Sequence, residues 1–351
     1  MDILKLAFDM FVAFWRRWRF RYFLAQAYLS YWRSLLRRSN QVINTWSNGA
    51  PLGRRVVVFV HFDLAGEVQP YLLGYLQALR DHGFDIVFVS NSGKLAKEAR
   101  ATLQPLCAAV LTRRNVGYDF GAMRDGLRYV ASKTKDVDLL LILNDSVYGP
   151  LTDLAPLLEG IDFTKADVWG ATESYQNRYH LQSYFIAAGP KALSSKAWNR
   201  FWNSVRPVQN KLWVILNYEV GMTRAMLRYG LRCAAVVPYK DLTSRIDPTP
   251  LVRKGRDEPE DSDPYIINRK EHLERILENA SNRIPMNPTA ELWRQLMELR
   301  FPFIKRELLR DNPARVVDLA DWREVAREAY ESADFAVIED DLQKVLRDRT
   351  P

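Results

Sequence analysis

Four runs of apolar residues, the first of them β-branched, constrain this chain more tightly than anything else in it, because each ends in a polar cluster and the first three lead into helical spacing. They are RRVVVFVHFD (54–63), FDIVFVSNSG (84–93), AAVLTRRN (108–115) and DVDLLLILNDS (136–146). A strand that is apolar on both faces belongs to a parallel sheet covered by helices on both sides, since a half-solvated strand would alternate. After the first run, Tyr71, Leu72, Tyr75, Leu76 and Leu79 repeat at helical spacing, and Gly83 follows as a terminating residue. The predicted fold class is therefore α/β, a mostly parallel sheet flanked by helices, with residues 55–240 as its body. Sheets of this kind bind ligands at the carboxyl ends of their strands. Here those ends carry His61 and Asp63, Asn91 between two serines, Asn115 to Asp119, and Asn144 to Ser146.

The chain's formal charge of +8 is concentrated at its start, where residues 1–45 hold eight basic side chains against two acidic ones. Beyond that segment acids and bases nearly balance, which argues against a nucleic-acid partner. Leu4, Phe8, Phe11, Trp15, Trp18, Tyr22, Ala25, Leu29, Trp32 and Leu36 step by four and three, so they form one seam on a long amphipathic helix. The first apolar stretch is interrupted by Lys5 and Asp9 and is shorter than the ~20 residues of a spanning helix. It also lacks the early positive region and cleavage site of a signal peptide. The same seam suits a helix lying in the headgroup layer of an anionic membrane or a coiled coil, and its wealth of Trp, Tyr and Phe favours the membrane.

Residues 40–54 are polar and turn-forming, so they are expected to be a linker. Residues 241–264 are charged and proline-rich and predict an exposed loop; helical spacing returns at 268–280, 289–300 and from 316 onward. The region 241–351 is thus expected to be a loop and helices packing on the body. Two isolated cysteines and four scattered histidines exclude a disulfide framework or structural zinc site and fit a reducing cytoplasm.

No GxxxxGK[ST], GxGxxG, nucleophile elbow or HExxH occurs. What remains for carboxylates at strand ends is to bind a divalent cation that neutralises a diphosphate, with another carboxylate as base. By residue type alone, Asn144, Asp145 and Ser146 are equally ordinary turn formers, and Asp119 equally suits a helix N-cap. Glu219 likewise suits the start of a helix, while His180 and Trp169 suit a core.

NVGYDFGAMRDGL (115–127), LLILNDSVYGPL (140–151), DVWGATES (167–174), HLQSYF (180–185), NYEVGMT (217–223) and NPTAELW with PFIKRELLRDNP (287–293 and 302–313) stand in consistent order. On these motifs, residues 55–312 resemble the rhamnan synthesis protein F family, bacterial polysaccharide-assembly proteins regarded as glycosyltransferases. Beneath that lies a similarity to inverting glycosyltransferases of GT-A fold, carried by Asn115 with Gly117, then Asp145, then Glu219 ahead of Arg224 and Gly230. The resemblance implies a GT-A-like fold, Asp145 as the carboxylate for Mg²⁺ or Mn²⁺ or for the diphosphate, and Glu219 as catalytic base. Donor contacts are expected from Asn91, Asn115, Gly117, Asp119, Asn144 and Ser146, with His61 and Asp63 added by strand-end position alone. Trp169, His180 and Gln182 would suit an acceptor sugar, which wants an aromatic face and planar hydrogen-bonding groups.

The implied reaction is rhamnosyl transfer from dTDP-rhamnose or GDP-rhamnose to a lipid-linked glycan of O-antigen, capsule or related polysaccharide. It would take place at the inner face of the bacterial inner membrane, beside other polysaccharide synthesis enzymes. Two departures stand out: NDS replaces the usual DxD, and the second strand ends in SNS where an Asp often holds the nucleotide base. Lys305, Arg306 or Arg310 would meet phosphate if PFIKRELLRDNP closes the pocket; otherwise that segment is a packed amphipathic helix. The competing function is a non-catalytic docking protein of a polysaccharide assembly.

Overall fold

The computed structural model describes residues 3–37, 40–249, 264–330 and 334–347. Its strands are β1 (Val42–Ser47), β2 (Arg55–His61), β3 (Asp85–Ser90), β4 (Ala109–Arg113), β5 (Leu139–Asn144), β6 (Val147–Tyr148), β7 (Val168–Ser174), β8 (His180–Leu181), β9 (Phe185–Ala188), β10 (Cys233–Val237) and β11 (Ile304–Lys305). The main sheet has the order β1-β4-β3-β2-β5-β9-β7-β10, with β8 on β7. Its β2, β3, β4, β5, β7 and β10 run one way, and β1, β8 and β9 run against them. The result is a mixed, mostly parallel sheet.

Both faces of β2 are buried because its β-branched run feeds two cores. Val57 and Phe59 join Leu141, Leu143, helix α2 (Pro70–Asp81) and residues of the C-terminal helices. Val56, Val58 and Val60 join Leu140, Ile142 and Phe120 to Leu127 of helix α4 (Tyr118–Lys133), together with helix Lys196–Ser204. Gly126 lets α4 lie close on this face, since a Cβ there would stand 2.5 Å from a Val58 methyl. Following β2, the chain builds β3 and β4 on one side and then returns to place β5 on the other, in register Val60↔Asn144. The strand order reverses beside β2, which is where a crevice opens at the carboxyl ends.

Three expectations are corrected. Residues 40–54 are not only a linker: Val42–Ser47 pairs antiparallel with β4 as the edge strand, satisfying backbone groups that would otherwise face solvent. PFIKRELLRDNP is not one amphipathic helix but β11 followed by the short helix Arg306–Arg310, because residues 304–305 find β6 as a partner. In the charged loop, Tyr239–Thr243 is helical, while residues 250–263 lie outside the described residues.

The N-terminal segment forms helix α1 (Ile3–Leu35). Its docked face is not the aromatic seam. Ala27 and Ser34 are buried, and Tyr31 stacks on Trp213 with centroids 4.6 Å apart. Trp18, Tyr22, Leu29, Trp32 and Leu36 of the seam are exposed, Trp32 at 63% and Leu36 at 91%. The side chains of Leu4, Phe8, Phe11 and Trp15 lie outside the described residues. No helix among the described residues is long and apolar enough to cross a membrane.

Candidate active site

The quoted polar end of β5 does more than turn the chain. Asp145 accepts the Phe62 backbone N–H on Oδ2 at 3.0 Å, while its own N–H donates to Val60 O at 3.1 Å. The carboxylate is thereby fixed across the ends of β2 and β5. Asn144 donates its amide to Asp119 Oδ2 at 2.9 Å and accepts the Ser146 hydroxyl and backbone N–H on Oδ1. Asp119 therefore does not cap α4; it reaches from the first helical turn to the end of β5.

Local backbone explains how Asp119 arrives there. Gly117 precedes the helix with φ +87°, a left-handed conformation favouring glycine, and a Cβ on it would lie 2.8 Å from Pro207 Cα. Its N–H donates to Gln209 Oε1 at 3.0 Å, which ties the turn to the segment before Glu219. Gly117 acts through this geometry, and Asn115 is exposed at the end of β4.

The third group comes from far along the chain. Lys305 pairs with Val147 in the β11–β6 ladder, and Arg306 N–H donates to Ser146 O at 3.0 Å. Lys305 Nζ then donates to Ser146 Oγ at 2.9 Å and lies 5.0 Å from the Tyr184 ring centroid. Arg306 lies over the rings of Tyr71 and Tyr148, at 5.1 and 5.4 Å, donates to Asp145 O at 3.0 Å and pairs with Asp341 at 3.2 Å. Arg310 pairs with adjacent Asp311.

Glu219 closes the other side. It ends a π-helical turn, Val214–Glu219, that continues into helix Val220–Arg228; such turns widen a helix and frequently carry functional groups. Ser183 donates its hydroxyl to Glu219 Oε1 at 2.8 Å. Lys305 feels the charges of Glu219, Glu307, Asp119 and Asp145, while burial pushes its ammonium pKa down. Burial, then the neighbouring charge of Asp145, pushes the Asp119 carboxyl up to about 6. Burial also raises Asp145, against the opposing pull of Arg306 and the Phe62 N–H. Burial is thus the first cause of all three shifts, with the neighbouring charges second.

His61 and Asp63 line a cavity of about 80 Å³ beside Asp145 and Arg306. His61 is buried at 1% exposure with Nδ1 3.2 Å from Ser90 Oγ, and burial depresses its pKa to about 4. An unfolded histidine binds its proton near 6.5, so the unfolded state takes up the proton first as pH falls. Stability is therefore expected to drop by about 3 kcal/mol from this residue between pH 6.5 and 4, and to be flat in this respect above 6.5. Urea midpoints of the wild type and His61→Gln across that range test this: equal pH slopes would remove His61 as the cause.

Four expected contact residues are committed elsewhere. Asn91 is buried, accepts from the Arg113 guanidinium and donates to Tyr118 O at 3.4 Å. Trp169 sits in the core beside Ala187 and Ala234, with its indole N–H on Ala166 O at 3.1 Å. His180 Nδ1 lies 2.8 Å from Arg178 O. The Gln182 amide accepts from Thr172 at 2.7 Å and donates to Asn287 and Thr289 at 3.2 and 3.3 Å, so it joins the sheet to the NPT turn. Apolar packing claims Trp169; for the other three, hydrogen bonds inside the protein use groups that the nucleotide base, for Asn91, or a sugar, for His180 and Gln182, would need.

Tyr71, Tyr148 and Asp341, which surround Arg306, and Ser183, which holds Glu219, join the site without having been expected there. Tyr148 and Ser183 lie within the motifs given above and Tyr71 on the apolar face of α2, and none of the three carries a signal of its role in the sequence. A larger groove, about 560 Å³, lies between α4 and helix Lys196–Ser204 beside the start of β5, away from these strand ends.

The profile of the family described as Rhamnan synthesis protein F matches residues 86–255, which include the ends of β3, β4 and β5 and Glu219. Virulence protein VirA of Vibrio anguillarum is 31% identical over 247 residues, covering 69% of this chain and 75% of the relative. Protein y4gN of Sinorhizobium fredii is 26% identical over 204 residues, covering 57% and 53%. Among solved structures, glycosyltransferase GlyE of Streptococcus pneumoniae TIGR4 is similar at 14% identity and a TM-score of 0.39, with 84% of this chain and 64% of that one covered. From the match over the cleft-forming strands and the identity that spans three quarters of VirA, the chain belongs to the rhamnan synthesis protein F family.

Proposed function

We propose that this protein is a glycosyltransferase of GT-A-like design that moves a sugar from a nucleoside diphosphate to a lipid-linked glycan in cell-surface polysaccharide synthesis. The observation that carries this reading is the convergence of Asp145, Asp119 and Lys305 at the ends of β2 and β5, with Glu219 among the charges facing Lys305. Family membership supports it. Rhamnose, as dTDP-rhamnose or GDP-rhamnose, is the first donor to test because the family is named for it.

The donor set fits a divalent cation. Asp145 and Asp119 offer hard oxygen ligands, and a cation between them would favour the ionised form of Asp119, whose pKa is raised first by burial and then by the charge of Asp145. Among the described residues no group of three His, Cys, Asp or Glu side chains could hold a metal, so Mg²⁺ or Mn²⁺ would complete its shell with water and donor phosphates. When bound, the ion would offset the charge developing on the departing diphosphate. In the reaction, an acceptor hydroxyl oxygen bonds to the anomeric carbon as the bond from that carbon to the diphosphate oxygen breaks. The nucleoside diphosphate leaves with the electron pair, Glu219 takes the hydroxyl proton, and the anomeric configuration inverts.

The exposed seam of α1, flanked by Arg19, Arg21 and Arg33, suits the cytoplasmic face of an anionic membrane, where each basic residue contributes on the order of 1 kcal/mol. Changing Trp18, Tyr22 and Trp32 together to serine keeps Ala27, Tyr31 and Ser34 of the docked face and is expected to abolish sedimentation with anionic vesicles. Equal sedimentation of the triple variant and the wild type would remove the seam as the anchor.

The catalytic reading is tested by thermal unfolding with Mn²⁺ and a panel of GDP, UDP, dTDP and their sugar nucleotides. A ligand at ~100 times its Kd adds roughly 2.7 kcal/mol. The expected result is a rise in midpoint selective for one nucleotide and lost in Asp145→Ala. No rise with any of them would overturn the reading in favour of a non-catalytic docking protein.

A further inference from the structure

We infer that Lys305 is a ligand of the donor's diphosphate, delivered to the strand ends by the C-terminal part of the chain. This rests on the donor-site reading above and adds to it a residue more than 150 positions from the motif it serves, as the separation of 159 between Lys305 and Ser146 records.

The backbone fixes the position first. Antiparallel pairing of Ile304 with Tyr148 and of Lys305 with Val147, followed by the 3.0 Å bond from Arg306 N–H to Ser146 O, holds Lys305 directly alongside the polar end of β5. Leu151 N–H donates to Pro302 O at 2.8 Å and extends the same contact. A lysine brought in on a loop alone would lack this register.

The side chain is then only partly engaged. Its ammonium has three donors and makes one hydrogen bond, to Ser146 Oγ, and it also lies 5.0 Å from the Tyr184 ring centroid, a contact that uses its charge but no acceptor. Among the described residues no carboxylate oxygen comes within 4.0 Å of it, although Glu219, Glu307, Asp119 and Asp145 all act on it. A half-buried ammonium held by surrounding acids, without a direct ion pair, keeps donors available for an anion that enters the cleft. Lysine suits phosphate as a compact point charge.

Arg306, at the same place, is engaged by more protein groups than Lys305 is. Its guanidinium lies against the edge-to-face pair Tyr71 and Tyr148, is bonded to Asp145 O and is paired with Asp341, so it braces the segment that presents Lys305. The replacement of DxD by NDS fits this division. Ser146 links Lys305 to Asn144, and Asn144 links onward to Asp119, so a neutral relay connects one cation to one carboxylate where a second carboxylate would otherwise stand.

The test measures binding of GDP, UDP and dTDP, and of the matching monophosphates, to the full chain with Mg²⁺ by calorimetry. Lys305→Gln keeps a donor for Ser146 and removes the charge; Lys305→Arg keeps the charge. Loss of a charge-assisted bond predicts about tenfold or greater weakening of the preferred diphosphate in Lys305→Gln, a smaller loss for its monophosphate, and partial recovery in Lys305→Arg. Wild-type affinity for the diphosphate in folded Lys305→Gln would overturn the assignment while leaving the donor site standing. An equal loss for diphosphate and monophosphate would also overturn it. If the wild type binds none of the three diphosphates, the donor-site reading fails and this assignment fails with it.

Discussion

Asp125→Ala is expected to lower stability by about 3–5 kcal/mol, a large fraction of the roughly 5–15 kcal/mol available to a domain. Asp125 is 4% exposed and serves two guanidinium groups that are themselves fully buried. Arg113 Nε donates to its Oδ2 at 3.0 Å, and Arg124 donates to its Oδ1 from Nε at 3.1 Å and from a terminal nitrogen at 2.7 Å. The alanine variant would leave two buried positive charges without the carboxylate they share. Because Arg113 also holds Asn91 and donates to Val116 O at 2.8 Å, and Arg124 donates to Val205 O at 2.8 Å, the loss would loosen the turn that presents Asp119. Asp125→Asn keeps an acceptor and should cost less. Urea denaturation decides the matter: a loss under about 1 kcal/mol for Asp125→Ala would mean that the other partners of the two arginines sustain them without the carboxylate.

The parts of the fold that were legible in sequence are those set by local chemistry. An uninterrupted apolar run buried on both faces announces itself, which is why β2 to β5 and their polar ends are legible directly. Asp145, Asp119 and Glu219 were singled out, the first two from strand and turn position and the last from family resemblance. The remainder depends on partners distant in the chain. β1 has no apolar alternation of its own and is a strand because β4 offers a free edge. Lys305 reaches the cleft only through β6, and the alternative of a packed helix was equally consistent with its neighbours in sequence. Asn91 stood at the correct strand end but is captured by Arg113, and nothing near either residue announces that pairing. For α1 the pattern was legible and its meaning was not: the seam is exposed, and the face that docks on Trp213 carries Ala27, Tyr31 and Ser34 outside the seam.

Glu219→Gln is expected to slow sugar transfer by roughly 10²–10⁴-fold, the range attributed to a positioned general base, while changing nucleoside diphosphate affinity less than about threefold. The substitution is nearly isosteric, and the glutamine carbonyl can accept the Ser183 hydroxyl that now lies 2.8 Å from Glu219 Oε1, so the π-helical turn keeps its support. What it removes is the ability to take a proton from the acceptor hydroxyl. Asp145→Asn provides the contrast. There the carboxylate lies at the donor end, braced by the Phe62 N–H at 3.0 Å, and its loss should weaken diphosphate binding together with turnover. Measured side by side, the two variants separate the proton-accepting side of the cleft from its donor-holding side. If Glu219→Gln turns over like the wild type, the base is another group and the mechanism must be rebuilt around it. If instead both variants lose diphosphate affinity equally, Glu219 belongs to the donor site, and its interaction with Lys305 becomes the reason it is there.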